Sequence, residues 1–214
     1  FYGAIAGIYD LLDVALFRDP ARNPRLGLAR ALPPEVRSVI DLCTGTGASS
    51  VTIAQSDEAR RVVGVDLSAN MLGIASRKAE KADVRNIELY RMDATSTDFP
   101  TVLFDAVTTS LSLHELPPDL RDRIMKEMRR LVADHGRLYI IEWERPKRGL
   151  ARLIFGIFPS LVEPRGFREF LSLDWECFLR RYGFELERSE SYSFTRLLIA
   201  RAIDRKDGVA YRAS

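Results

Sequence analysis

The stretch Val39-Ile40-Asp41-Leu42-Cys43-Thr44-Gly45-Thr46-Gly47 joins a run of branched apolar residues to a turn containing two glycines. The run from Val36 to Leu42 reads as a buried strand. An acid near its end and glycines at 45 and 47 read as the tight loop that carries a strand into a helix, with its backbone open to a ligand. Upstream, Asn23 to Leu32 reads as a helix stopped at Pro33-Pro34, and Ile5, Ile8, Leu11, Leu12 and Ala15 recur at the spacing of an amphipathic helix. Downstream the alternation repeats. A helix passes through Val51 and Ala54, Arg61 to Val65 is a strand ending at Asp66, and Ser68 caps a helix from Ala69 to about Lys81. Asn86 to Arg91 and Phe104 to Thr109 are strands. Pro117-Pro118-Asp119 opens a helix whose apolar stripe is Leu120, Ile124, Met128 and Leu131; Asp134-His135-Gly136 reads as a turn before a strand over Arg137 to Glu142.

Strand–helix alternation of this kind implies a parallel sheet covered by helices on both faces, and with right-handed connections it becomes a doubly wound α/β fold. After Glu142 the rhythm changes. Leu150, Leu153, Ile154 and Ile157 form a short stripe, Pro159 and Pro164 interrupt it, and Phe167, Phe170 and Leu171 resume it. Trp175, Phe178, Leu179 and Tyr182 make a core-packing helix closed by Gly183, and Phe184 to Arg188 with Phe194 to Arg201 form a hairpin at the sheet edge. The expectation is a seven-stranded, mostly parallel sheet with a terminal antiparallel hairpin. It forms one domain over 1–204, with a helical insertion at about 148–172 and a polar tail at 205–214.

Composition narrows the function. The 214 residues are 46% apolar and 29% charged, as in a folded globular chain. Lys and Arg number 32 against 30 Asp and Glu, mixed along the chain, which is no nucleic-acid footprint. Cys43 and Cys177 do not make a disulfide scaffold, and no apolar run is long enough to cross a bilayer. The residues present carry no secretory signal, so the expected address is the cytoplasm, with at most weak peripheral membrane contact. His114 and His135 show no metal-ligand spacing and no Gly-x-Ser-x-Gly elbow occurs, so neither a metal centre nor serine catalysis is expected.

In an open parallel sheet ligands bind beyond the carboxyl ends of the strands. Those ends here are Asp41 to Gly47, Asp66, Met92-Asp93-Ala94 and Thr109-Ser110-Leu111. A carboxylate at 66 can accept hydrogen bonds from both hydroxyls of a ribose, and one at 93 can read an adenine edge. A glycine loop followed by an acid about 20 residues on also occurs in dinucleotide-binding domains. Their third glycine is replaced here by Ser50, which disfavours pyrophosphate.

Val39 to Gly47, the stretch Val63-Gly-Val-Asp-Leu-Ser-Ala-Asn-Met-Leu72, the Met92-Asp93-Ala94 step and Phe104-Asp-Ala-Val-Thr-Thr109 together resemble the motifs of class I S-adenosylmethionine-dependent methyltransferases. The resemblance covers about Ile5 to Arg201 and includes the late hairpin. The Asp-Leu-Cys-Thr-Gly-Thr-Gly wording and the Tyr9-Asp10 pair are similar to the ubiquinone/menaquinone C-methyltransferases, whereas Ser110-Leu-Ser-Leu-His-Glu-Leu116 departs from that subgroup. The resemblance implies that Asp41, Gly45 and Gly47 line the methionine part of S-adenosylmethionine, with contacts from Thr44 and Thr46. It implies that Asp66 holds the ribose, that Leu67 and Met71 pack on the adenine, and that Asp93 and Ala94 meet its edge. Ser110 and Leu111 pass near the sulfonium, and Tyr9 covers the carboxylate end. The product is S-adenosylhomocysteine and the partner a small acceptor, apolar or aromatic and quinone-precursor-like.

His114, in the loop after the fourth strand, is the first candidate for a catalytic base. It reads equally as a residue packed before Pro117. Glu142 either contacts substrate or pairs with an arginine, His135 reads as structural, and Cys43 as a small buried residue. Phe155, Phe158, Leu161, Phe167 and Phe170, flanked by Arg145, Lys147, Arg148 and Arg152, read as a lid, a membrane-facing patch or a plain helical cover. Alternatives within the class are O- or N-methylation of another small molecule or lipid head group. Outside it stand an NAD-dependent oxidoreductase and a binding module that keeps the cofactor without turnover.

Overall fold

The computed structural model describes residues 19–146 and 167–204. The helix read over Ile5 to Ala15, Tyr9 within it, most of the insertion at 148–172 and the polar tail lie outside the described residues.

Local chemistry sets the element ends. Helix α1 (Pro24–Ala31) starts where the Asn23 side chain accepts from Arg25 N at 3.0 Å and Pro24 occupies the first turn. Strand β1 (Ser38–Leu42) leads through the glycine loop into α2 (Ala48–Ser56). Strand β2 (Arg61–Asp66) is followed by α3 (Ala69–Lys81), whose cap Ser68 accepts from Met71 N at 3.4 Å. Next come β3 (Ile87–Arg91), β4 (Phe104–Ser110), a 3-10 turn over Leu113–Glu115, α4 (Pro118–Leu131) and β5 (Val132–Trp143). Short helices α5 (Phe167–Phe170) and α6 (Trp175–Arg181) precede the hairpin β6 (Phe184–Tyr192) and β7 (Thr195–Ala202).

The seven strands form one sheet in the order β3-β2-β1-β4-β5-β7-β6. The first five are parallel, β7 runs antiparallel to β5, and β6 antiparallel to β7. The order reverses between β1 and β4, which places the crevice expected of a doubly wound sheet beside the end of β1. Period-two alternation sends successive residues to opposite faces. Ile40, Leu42, Val63 and Val107 pack with Ile124, Met125 and Met128 of α4 and Leu179 of α6. Val39, Val62, Ala106 and Tyr139 pack with Leu28 of α1 and Ile53 of α2. Rings of Phe170, Trp175, Phe178 and Tyr182 meet edge to face at 5.5, 5.6 and 5.2 Å, the core packing read for that helix.

Two strands differ from the sequence reading: β6 runs on past Arg188 to Tyr192, and β5 starts before the segment read as a turn. Asp134-His135-Gly136 is not a turn before the strand but a bulge inside β5: Phe104 pairs with Val132, and the next paired positions are Ala106 and Arg137. A Cβ on Gly136 would lie 2.7 Å from Asp105 O, so glycine here serves close approach to the neighbouring strand. His135, on the bulge, points into solvent with its side chain 93% exposed. Among the described residues no helix is long and apolar enough to cross a membrane.

Candidate active site

The glycine loop is pinned from several sides. Thr44 N donates to Val65 O at 2.9 Å and Gly47 N to Thr44 O at 2.9 Å, folding the loop back toward β2. Cys43, Gly45 and Gly47 all have positive φ, at 59°, 55° and 74°. The two glycines differ in surroundings. A Cβ on Gly47 would fall 2.7 Å from Ala75 Cβ of α3, whereas one on Gly45 would meet none of the described residues within 4 Å. Beneath the loop, buried Asp41 accepts from Thr44 Oγ1 at 2.7 Å and Thr108 Oγ1 at 2.6 Å, and Thr44 Oγ1 also meets Ser50 Oγ at 2.7 Å. Ser50, in place of a third glycine, is thus part of the loop's hydroxyl network. Thr46 Oγ1 accepts from Lys78 Nζ of α3 at 3.2 Å.

Burial raises the Asp41 carboxyl from its ordinary 3.8 to about 6, although both hydroxyls and the charge of Arg25 work the other way. Burial likewise pushes the Cys43 thiol up to about 12, with Asp66 and Asp41 adding to the effect, so it stays protonated and unreactive at neutral pH.

At the end of β2, Asp66 accepts Gly45 N on Oδ2 at 2.8 Å and Ser68 N on Oδ1 at 2.9 Å. Each oxygen keeps further acceptor capacity toward a ligand. Leu67 beside it is 65% exposed, an apolar surface at the mouth of the crevice, and Met71 is half-buried one turn on. After β3, exposed Asp93 accepts Thr95 N at 2.8 Å; that bond holds its carboxyl below the ordinary range, so it is ionised at neutral pH. Ala94 is buried. β1, β2 and β3 are adjacent and parallel, so residues 41, 66 and 93 lie along one rim.

β4 completes the crevice. Ser110 Oγ is buried with no hydrogen-bond partner among the described residues. Leu111, at φ 53°, donates its N–H to Ile141 O at 2.8 Å and turns the chain toward His114. The His114 side chain is only 3% exposed. Its Nδ1 lies 2.8 Å from Glu142 Oε2, Trp143 Nε1 donates to its Nε2 at 3.3 Å, and Phe167 and Phe170 flank the ring. Glu142 pairs with this imidazole rather than with an arginine, and its Oε1 takes Ser112 N and Leu113 N at 3.1 and 2.7 Å. A Ser110 hydroxyl with no partner among the described residues, space at Gly45 that none of them fills and the apolar Leu67 fit a nucleoside with a polar, charged tail.

Sequence reasoning passed over two residues. Arg25, on the first turn of α1, is buried near enough to Asp41 for its charge to act on that carboxyl. An arginine on a helix ordinarily reads as solvated, and nothing local marks this one. Trp143 was passed over because its partner, His114, sits on another element.

A methyltransferase domain model matches residues 39–136. A demethylmenaquinone methyltransferase from Thermus thermophilus is 31% identical over 164 residues, covering 76% of this chain and 73% of that protein. One from Deinococcus radiodurans is 30% identical over 165 residues, covering 77% and 67%. Among solved structures, an S-adenosylmethionine-dependent methyltransferase from Aquifex aeolicus superposes with a TM-score of 0.69 at 21% identity, covering 92% of this chain and 98% of its own. The [4+2]-cyclase SpnF follows the same fold at 0.62 and 18% identity, covering 83% and 79%. With a mostly parallel seven-stranded sheet ending in an antiparallel hairpin, the acid-and-glycine rim at its carboxyl edge and a relative of this similarity over most of both chains, the chain belongs to the class I S-adenosylmethionine-dependent methyltransferases.

Proposed function

We propose that this methyltransferase places the methyl group of S-adenosylmethionine on a ring carbon of a reduced quinone precursor, an apolar aromatic acceptor bearing hydroxyls. The names of the relatives support the acceptor class. The cofactor site rests on one observation: Asp66, at the end of β2, is bonded to Gly45 N of the loop after β1 and still offers acceptor capacity outward.

When bound, S-adenosylmethionine supplies a methyl group made electrophilic by its sulfonium. Asp66 accepts the ribose hydroxyls, Leu67 and Met71 pack on the adenine, and Asp93 with Ala94 meets its edge. Gly45 admits the methionine part close to backbone, beside Gly47 and Thr44. Asp41 holds the loop through Thr44, and Arg25 brings positive charge to the carboxylate end. Ser110 and Leu111 border the methyl position. The acceptor is the reduced form, because an electron-poor quinone ring attacks an electrophile poorly. His114 takes the hydroxyl proton that the attacking ring gives up. The protein's contribution is alignment and exclusion of water.

Purified protein given radiolabelled S-adenosylmethionine and chemically reduced demethylmenaquinone is expected to yield labelled acceptor and S-adenosylhomocysteine. Binding of S-adenosylhomocysteine without label transfer overturns the acceptor. His114→Ala is expected to lower turnover by roughly 100-fold while leaving S-adenosylhomocysteine affinity unchanged.

A further inference from the structure

We propose that Glu142 and Trp143, neighbours at the end of β5, fix the proton and the accessibility of His114. Glu142 is a positioning residue that keeps the ring proton on Nδ1. Trp143 is a gate whose indole N–H holds Nε2 until an acceptor hydroxyl replaces it. This rests on the reading of His114 as the proton acceptor, and it restricts substrates to acceptors with an ionisable hydroxyl.

The geometry points to a single tautomer. Glu142 is fully buried. Its Oε1 already takes Ser112 N at 3.1 Å and Leu113 N at 2.7 Å, and its Oε2 takes Trp143 N at 3.3 Å. A carboxylate so held, donated to by three backbone N–H groups, cannot turn without opening the loop after β4. The group 2.8 Å away on Oε2 must therefore be a donor, so Nδ1 carries hydrogen. In the neutral ring Nε2 is then the acceptor, in agreement with the indole N–H of Trp143 aimed at it.

That indole bond, at 3.3 Å, is longer than the 2.8 Å bond on the opposite side of the ring. It is the one an incoming hydroxyl displaces with least loss. Phe167 and Phe170 flank the imidazole at 5.6 and 6.1 Å between centroids, so the ring is walled by apolar rings and aligned by the acid below.

The charged groups around the ring, among the described residues, come from three elements. Glu142 lies on β5, Glu115 Oε1 is 3.9 Å from Nε2 on the 3-10 turn, and Arg121 of α4 bonds Leu113 O at 3.0 Å with its guanidinium over Phe170. α5 presents Phe167 and Phe170. The two carboxylates favour the imidazolium formed on proton transfer, Arg121 opposes it, and the Trp143 N–H disfavours it for as long as it faces Nε2.

The step balances. The acceptor O–H bond breaks and its proton passes to Nε2, a ring carbon forms the new bond to the methyl group, and the carbon–sulfur electron pair returns to sulfur. The ring hydrogen then shifts to oxygen, leaving one net proton on His114, lost to solvent after turnover.

The test compares full-length wild type, Glu142→Gln, Trp143→Phe and His114→Ala on reduced demethylmenaquinone, with 15N histidine spectra. Glu142→Gln turns an amide NH2 toward Nδ1, so the ring proton should move to Nε2. The expected result is a fall in kcat of roughly 100-fold, as for His114→Ala, with KM and S-adenosylhomocysteine affinity unchanged. Trp143→Phe removes the opposing dipole, so the acid limb of kcat/KM should move to higher pH by about half a unit or more. A Glu142→Gln protein that turns over like wild type with Nδ1 still protonated, while His114→Ala is slow, overturns the positioning role and leaves the base standing. An unmoved acid limb in Trp143→Phe overturns the gate. Wild-type turnover by His114→Ala overturns the base reading itself. Should Glu142→Gln fail to fold, the wild-type 15N tautomer and the Trp143→Phe limb decide: Nε2 protonated in wild type is the contrary outcome.

Discussion

Asp66 shows how much one side chain at a strand end carries. Its carboxylate receives two backbone N–H groups, one from the glycine loop and one from the start of α3, which fixes its direction before any ligand arrives. Asp66→Ala removes the acceptor proposed for the ribose and leaves Gly45 N without its partner. At about 1.5–3 kcal/mol for a hydrogen bond to a charged group, S-adenosylhomocysteine should bind roughly 10- to 100-fold more weakly. Calorimetry giving wild-type affinity would contradict the role. At this scale the sequence was readable where function and spacing are local. Ser68 as cap and Asp66 as rim acid follow from a few residues around them, and the structure places both at the end of β2. The partnership of Glu142 with His114 was not readable, since 28 residues and a helix separate them. Arg25 acts on Asp41 through the fold alone, from a helix whose periodicity says only that it packs.

The glycine loop divides its work between two positions that look alike in sequence. Gly47 lets α3 approach, for its missing Cβ is the space filled by Ala75; Gly45, beside Asp66, faces space that none of the described residues fills. Both residues sit at positive φ, so an alanine at either costs about 1–2 kcal/mol of backbone strain. Gly47→Ala adds overpacking of about 1–3 kcal/mol, since the obstacle is a helix and not a flexible side-chain tip. Gly47→Ala should therefore unfold at markedly lower denaturant than Gly45→Ala, while Gly45→Ala should lose more S-adenosylhomocysteine affinity for its smaller loss of stability. Equal effects of the two on both measurements would refute this division. Element ends were legible because caps and prolines are local: Asn23, Ser68 and the Pro117-Pro118 pair sit where the helices begin. The bulge in β5 was not, because Asp134-His135-Gly136 has turn composition and only the pairing of β4 with β5 keeps it in the sheet. The doubly wound order itself was legible, as alternation of strand and helix leaves few ways to cover both faces.

Across the whole molecule, burial of Asp41 gives stability an unusual pH dependence. Among the described residues most shifted carboxylates are lowered by partners: Asp93 by Thr95, Asp122 by Lys126, Glu88 by Arg61, and Glu127, against its own burial, by Arg130 and Thr97. Each contributes stability above its unfolded value that disappears as pH falls through the folded one. Asp41 runs the other way. Raised by burial from 3.8 to about 6, it binds its proton more tightly in the folded state. Between those values the native protein holds more protons than the unfolded chain, so this group's contribution is full below about pH 4 and declines as pH rises to about 6. At about 1.4 kcal/mol per pH unit the loss by neutral pH is about 3 kcal/mol. Asp41→Asn preserves shape, and the hydroxyls of Thr44 and Thr108 can reorient to meet an amide. Comparing wild type with Asp41→Asn by denaturant unfolding cancels the other carboxylates. The stability difference should be small near pH 4, grow in favour of the asparagine form up to about pH 6, and level off above it. A difference independent of pH would mean that Asp41 is not buried as a charge. Arg25 supplies the second arm, because its positive charge partly offsets the burial. In an Arg25→Met background, the pH-dependent gap between the aspartate and asparagine forms at position 41 should widen.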